Sequence, residues 1–169
     1  MLKILIVEDD EFKQRRIAQV VRDFSPEVDL LLERSVNSGL DAIVNLRPDI
    51  ILLDMSLTTF DVGPRESGGR PQNFGGLEIL RQMDRLGVSI PVIVITQYER
   101  FARGSQEVSL GTVRAELEMQ HDRVFKGLVY YNSAIGGWGK ILRNLMKDIL
   151  KKGDTLRERK NSDSRRRTR

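Results

Sequence analysis

Short apolar runs alternate with segments of helical spacing along this chain, and that alternation limits its fold more than any other feature. Lys3–Val7 is a nearly continuous apolar run, and residues 11–24 then place apolar side chains at helical intervals. Further apolar runs lie at 28–32, 49–53 and 90–95, with helical segments near 37–46 and 77–86. Strands that alternate with helices predict right-handed βαβ units. We therefore expect an α/β fold, a doubly wound parallel sheet with helices on both faces.

The second half of the chain has a weaker pattern. A polar stretch after Thr96 leads to a predicted helix near 106–120, and a fifth strand is expected around Lys126, continuing to Tyr131. The last helix is clear, because six apolar residues repeat at helical spacing between 141 and 150. Residues 55–75 have no periodicity and are rich in glycine, which predicts a long loop.

Polar side chains stand where the predicted strands end. The first strand is followed by Glu8-Asp9-Asp10, the third by Asp54, and the fourth ends in Thr96, while the fifth contains Lys126. In open parallel sheets, ligands bind at the carboxyl ends of the strands. We therefore expect an acidic cluster, a lone carboxylate, a hydroxyl and an ammonium to converge on one edge. Asp10 is also well placed to cap the first helix.

Such a group of side chains suits phosphoryl transfer. Carboxylates that lie close together need protons or a cation, and oxygen ligands in an open site favour Mg²⁺. Asp54 can then act as a nucleophile towards phosphorus and form an aspartyl phosphate. The transition state spreads negative charge over three oxygens, which the metal, Thr96 and Lys126 can each stabilise.

Four motifs in this order resemble the receiver domains of response regulators in two-component signalling. They are Leu5-Ile-Val-Glu-Asp9, Pro48-Asp-Ile-Ile-Leu-Leu-Asp54, Gly75-Gly-Leu-Glu-Ile-Leu80 and Pro91-Val-Ile-Val-Ile-Thr96, and the resemblance covers roughly residues 2–150. It implies a flavodoxin-like (β/α)5 fold with strand order 2-1-3-4-5. It also implies a role for each strand-end residue: Asp54 as phosphoacceptor and metal ligand, Asp9 as metal ligand, the Ser56 backbone carbonyl as a third ligand, Glu8 as a ligand through water, Thr96 as the switch hydroxyl and Lys126 as the conserved lysine.

The chain also departs from that family in several places. The loop between Asp54 and Gly76 is longer than usual, with an inserted piece at 58–74 that contains Arg65 and Arg70. Lys126 is followed by Gly127 where the family has proline, and the segment between Thr96 and Lys126 is also long. These departures favour retained chemistry at Asp54 together with an altered output surface.

Charge is concentrated at the end of the chain. Residues 151–169 contain nine Lys and Arg against three Asp and Glu, a net charge of +6, so the +4 of the whole chain leaves −2 for the other 150 residues. We predict a receiver domain at 1–152, with an insertion loop at 56–75, and a disordered basic tail at 153–169.

The chain has no cysteine, which excludes disulfides and zinc-thiolate sites. It also has no secretion signal and no apolar span, which favours the cytoplasm over a membrane.

Three functions fit these residues. The first is a stand-alone receiver that takes a phosphoryl group from a histidine kinase or phosphotransfer protein, binds Mg²⁺ and signals to an output protein, with no separate substrate turnover and no specific DNA binding. The second is a pseudo-receiver that binds a partner without phosphorylation. The third, a phosphatase with an aspartate nucleophile, fits less well because Asp54 follows the third strand and lacks an Asp-x-Asp motif. Homodimerisation is compatible with the first two.

Overall fold

A computed structural model describes residues 1–59 and 74–167 of the chain. Its main feature is a five-stranded parallel sheet. The strands are β1 (Lys3–Val7), β2 (Asp29–Glu33), β3 (Ile50–Leu53), β4 (Val92–Thr96) and β7 (Phe125–Tyr130). Their spatial order is β2-β1-β3-β4-β7, which confirms the predicted doubly wound α/β fold and the predicted order of its five strands.

Helices cover both faces of this sheet. They are α1 (Glu11–Phe24), α2 (Val36–Leu46), α3 (Gly75–Arg85), α4 (Leu110–Gln120) and α5 (Trp138–Arg167). Side chains of α1 and α5 form one apolar core with the sheet, and side chains of α2, α3 and α4 form the other. Strands β3 and β4 are buried along their whole length, which explains their continuous apolar sequences.

A two-stranded antiparallel hairpin follows β4, formed by β5 (Arg100–Arg103) and β6 (Gln106–Ser109). The prediction of a helix from about 106 is therefore wrong at its start, because α4 begins only at Leu110. Gly104 explains the difference, since its φ of 61° turns the chain between the two strands. Ser109 then caps α4 by accepting a hydrogen bond from the backbone of Thr112.

The last helix is longer than its apolar repeat. Its backbone stays helical as far as Arg167, whereas the sequence predicts disorder from residue 153. This segment contains no proline, and many of its residues favour helices, so a helix anchored by its buried first part can continue. Within the described ranges, no helix combines the length and the apolar character needed to cross a membrane. Residues 60–73, with Arg65 and Arg70, lie outside the described residues.

Candidate metal and phosphoryl site

Three carboxylates meet at the carboxyl edge of the sheet. Val7 and Leu53 are in register on neighbouring strands, so the residues that follow them, Glu8 and Asp54, are also neighbours. Glu8, Asp9 and Asp54 each offer a carboxylate oxygen, and these oxygens lie within 4.8 Å of one another. Glu8 and Asp54 are almost fully buried, at 1% and 4% exposure. The structure thus brings together the acids that the sequence placed at these strand ends.

Hydrogen bonds from the backbone fix the two buried acids. The N–H of Ser56 donates to Asp54 Oδ2 at 3.1 Å, and the N–H of Asp10 donates to Glu8 Oε1 at 3.0 Å. The side chain of Asp10 in turn accepts from the N–H of Lys13 at 2.8 Å and caps α1, as predicted. The Asp54 carboxylate therefore has a defined orientation, because its Oδ2 is held by a backbone N–H of the segment that follows it.

The start of α3 packs directly on the backbone that follows β3. The N–H of Gly76 donates to the carbonyl of Met55 at 3.0 Å. A Cβ atom on Gly76 would lie only 2.2 Å from the carbonyl oxygen of Asp54, far inside van der Waals contact. Only glycine permits this approach, which explains the glycine pair in the Gly75-Gly76 motif.

The ammonium group at this site comes from Lys13. Its Nζ lies 2.8 Å from Asp54 Oδ1 and 2.6 Å from Glu8 Oε2, and it donates to the carbonyl of Ile95 at 3.0 Å. Lys13 is 1% exposed, so this is a buried ion-pair network rather than a surface salt bridge. Reasoning from the sequence missed this residue.

Helical geometry explains how Lys13 reaches the acids. It stands four residues before Ile17 and eight before Val21, both of which are buried on the inner face of α1. Phe12 is instead 63% exposed, although it counts as apolar in the periodicity. The signal was present in the sequence, because a lysine at this spacing extends the buried stripe to the end of β1, where acids require a cation.

Burial is the main cause of unusual proton affinities in this cluster. It raises the pKa of Glu8 to about 8, with a further contribution from the charge of Asp54 and a partial offset by Lys13. Burial also raises the pKa of Asp54 and that of Asp9, and Lys13 offsets part of each increase. For Lys13, burial lowers the pKa, but the charges of Asp54 and Glu8 outweigh it and the pKa is raised. The single positive charge of Lys13 thus offsets only part of the cost of burying the negative charges of the three acids.

Thr96 lies at the same edge, at the end of β4 beside β3. It is fully buried, and its Oγ1 accepts a hydrogen bond from the N–H of Tyr98 at 3.2 Å. The next residue back, Ile95, supplies the carbonyl that holds Lys13. Thr96 therefore directly follows the residue whose carbonyl binds Lys13. A switching role for Thr96 stays a prediction.

Lys126 is not brought to this site, contrary to the expectation from the sequence. It is the second residue of β7, whose register pairs Phe125 with Val92 at the start of β4 and Tyr130 with Thr96 at its end. Lys126 therefore lies at the amino end of the sheet, where its Nζ donates to the carbonyls of Asp122 and Arg123. The strand itself was predicted at these residues, but Lys126 stands near its start rather than at the end that faces the acids.

The donor set fits a magnesium ion. Carboxylate oxygens are hard ligands, the cluster carries excess negative charge, and Asp9 is only half-buried, which leaves the site open on one side. Glu8, Asp9 and Asp54 are the described residues that form such a cluster. The Ser56 carbonyl as a further ligand, and water between Glu8 and the metal, stay predictions.

Solved structures with the same architecture decide the fold family. A CheY-like response regulator receiver domain protein of Methanospirillum hungatei superposes with a TM-score of 0.59 at 17% identity, over 92% of this chain and 98% of that one. A response regulator receiver domain protein of Clostridium thermocellum gives 0.60 at 16% identity, over 92% and 99%. The chain has a receiver-domain fold.

Two curated proteins are similar to this chain over most of its length. The Detocs response regulatory protein DtcB of Enterobacter cloacae is 28% identical over 133 residues, which cover 78% of this chain and 89% of that protein. An uncharacterized protein of Sinorhizobium fredii, y4jR, is 28% identical over 146 residues, or 85% and 95% of the two chains. No family model matches the chain.

Proposed function

We propose that this chain is a receiver that accepts a phosphoryl group on Asp54 in a Mg²⁺-dependent phosphorelay and signals through protein contacts. The observation that carries the proposal is the cluster of Glu8, Asp9 and Asp54 around a single edge of a receiver fold. A histidine kinase or a phosphotransfer protein would supply the group, and an output protein would read it. Its setting would be the cytoplasm.

Each residue has a task that its position allows. The N–H of Ser56 holds Oδ2 of Asp54, and Oδ1, which pairs with Lys13, would attack phosphorus. Glu8, Asp9, Asp54 and the Ser56 carbonyl would hold the magnesium ion, which when bound neutralises charge on the phosphoryl oxygens. Thr96 would donate its hydroxyl to a phosphoryl oxygen.

The first prediction is a single phosphoryl group on Asp54. Wild-type protein incubated with Mg²⁺ and acetyl phosphate is expected to gain the mass of one phosphoryl group, and Asp54→Asn is expected to gain none, because an amide is a poor nucleophile. Asp49→Asn is the matched control, since it makes the same chemical change at the opposite end of the same strand, where Asp49 accepts from the N–H of Lys3. Equal labelling of wild type and Asp54→Asn would refute the proposal.

The second prediction is that Mg²⁺ stabilises the folded protein. At a concentration of 100 times its Kd, a ligand that binds only the folded state adds about 2.7 kcal/mol to the free energy of unfolding. For a chain of this size, that corresponds to roughly 5–10 °C in Tm. Thermal unfolding with and without Mg²⁺ measures the effect, and Asp9→Asn should reduce it. An equal increase in the wild type and in Asp9→Asn would count against this metal site.

A phosphorylation-independent interaction module is the alternative. The hairpin of β5 and β6 favours it, because this added element stands between β4 and α4, next to the strand that ends in Thr96. The labelling experiment separates the two functions, since a module of this kind would gain no phosphoryl group on Asp54 in the presence of Mg²⁺.

A further inference from the structure

We propose that Lys13, on the first turn of α1, is the catalytic cation that pairs with the phosphoryl group during its transfer to Asp54. This inference rests on the proposed function and assigns to a residue of α1 the task that was expected of Lys126 on the fifth strand. Lys13 Nζ already lies 2.8 Å from Oδ1 of the proposed acceptor, so it touches the reacting group directly.

Lys13 is held in place by contacts that do not depend on the acids. Its Nζ donates to the carbonyl of Ile95 at 3.0 Å and lies 5.9 Å from the centre of the Tyr131 ring, a distance typical of a cation–π contact. Tyr131 is itself fixed by an edge-to-face contact with Trp138, at 4.9 Å between ring centres. The ammonium would therefore stay beside Asp54 when that carboxylate becomes an acyl phosphate.

The fifth strand offers an aromatic side chain instead of a cation at this edge. Tyr131 follows the end of β7, is 4% exposed, and donates its backbone N–H to the carbonyl of Thr96. Lys126, the lysine within β7, lies at the other end of the sheet. Among the described residues, the cation that contacts Asp54 is Lys13.

The chemistry balances without any further reactant. A carboxylate oxygen of Asp54 forms a bond to phosphorus, the bond between phosphorus and the leaving oxygen breaks, and with acetyl phosphate the acetate leaves with that electron pair. Negative charge spreads over the phosphoryl oxygens during this exchange. An ammonium that is already positioned and dehydrated stabilises that charge without reorganisation.

Lys13 could instead serve only to neutralise buried acids, and two measurements distinguish these roles. The first is the rate of phosphoryl gain from acetyl phosphate, followed by mass, in saturating Mg²⁺. The second is the Kd for Mg²⁺ alone, measured by calorimetry. Lys13→Met removes the charge, and Lys13→Gln also removes it but retains a donor for the Ile95 carbonyl. Lys126→Met is the matched control.

For a catalytic Lys13, both variants are expected to label roughly 100-fold more slowly than wild type. Their affinity for Mg²⁺ should be unchanged or higher, because a positive charge has left the metal site. Lys126→Met should behave as wild type. If both Lys13 variants label within about threefold of the wild-type rate, the inference is overturned and the proposed function stands. The same holds if the labelling rate decreases only as much as the affinity for Mg²⁺. A wild-type protein that gains no phosphoryl group would overturn both.

Discussion

Gly76→Ala is expected to lower the free energy of unfolding by about 3 kcal/mol, the upper part of the range for overpacked sites. In an ordinary helix, this substitution would stabilise the protein by up to about 1 kcal/mol. Here the added Cβ would lie 2.2 Å from the carbonyl oxygen of Asp54 and 2.9 Å from the Cα of Met55. Both neighbours are backbone atoms, so neither can rotate away, and the steric cost exceeds the gain in helix propensity.

Gly111→Ala is the matched control for this prediction. Gly111 is the second residue of α4, as Gly76 is of α3, but a Cβ there would meet only Ser109 Oγ at 3.7 Å, an ordinary contact. We expect a neutral or slightly stabilised protein. Thermal unfolding is the measurement, with a decrease in Tm of roughly 6–12 °C for Gly76→Ala. Equal Tm values for the two variants would contradict the prediction, because they would show that the backbone after β3 can shift to accept the added Cβ.

Lys13→Met is expected to cost about 3–5 kcal/mol in metal-free buffer, the typical result of removing one partner from a buried ion pair. Glu8 and Asp54 would remain buried without their ammonium. Since small domains have about 5–15 kcal/mol of stability, the variant should still fold. Saturating Mg²⁺ should recover much of the loss, because a divalent cation replaces the missing charge.

The decrease in the free energy of unfolding of Lys13→Met should also depend on pH. Burial raises the pKa of Glu8 from 4.5 to about 8, so the folded state binds this proton more tightly than the unfolded state. Protonation therefore favours folding, and stability decreases as pH rises between these two values. Without Lys13 to offset the effect, the variant should lose more stability over this interval than wild type. Urea unfolding at several pH values tests this, with Lys126→Met as the control. A loss below about 1 kcal/mol at every pH would contradict it.

The fold could be predicted because its signals are local and repeated. Apolar runs such as Lys3–Val7 are buried on both faces, and the acids after them stand at the edge where parallel strands end. Asp10 was recognisable as a cap because its position before α1 determines its bonding. These features follow from residue type and spacing alone, without knowledge of distant contacts.

The lysine of the site, Lys13, was missed, although its spacing from Ile17 and Val21 puts it on the inner face of α1. Family resemblance instead favoured Lys126, on the fifth strand. Their difference is tertiary: the orientation of α1 buries Lys13, and the register of β7 places Lys126 at the far end of the sheet. The hairpin at 100–109 was missed for a related reason, since a Gly-Ser turn between short polar strands gives a weak signal.

The hairpin and Phe74, the residue that precedes α3, are joined by aromatic packing. Phe74, the last residue of the inserted segment, stacks on Phe101 of β5 at 5.4 Å between ring centres, and the guanidinium of Arg103 lies over the same ring at 5.4 Å. Phe101 is 3% exposed. Phe74 therefore depends on the hairpin for part of its packing. A relative that lost the hairpin would expose one face of this ring, so the hairpin and a large aromatic residue before α3 should be gained and lost together during evolution.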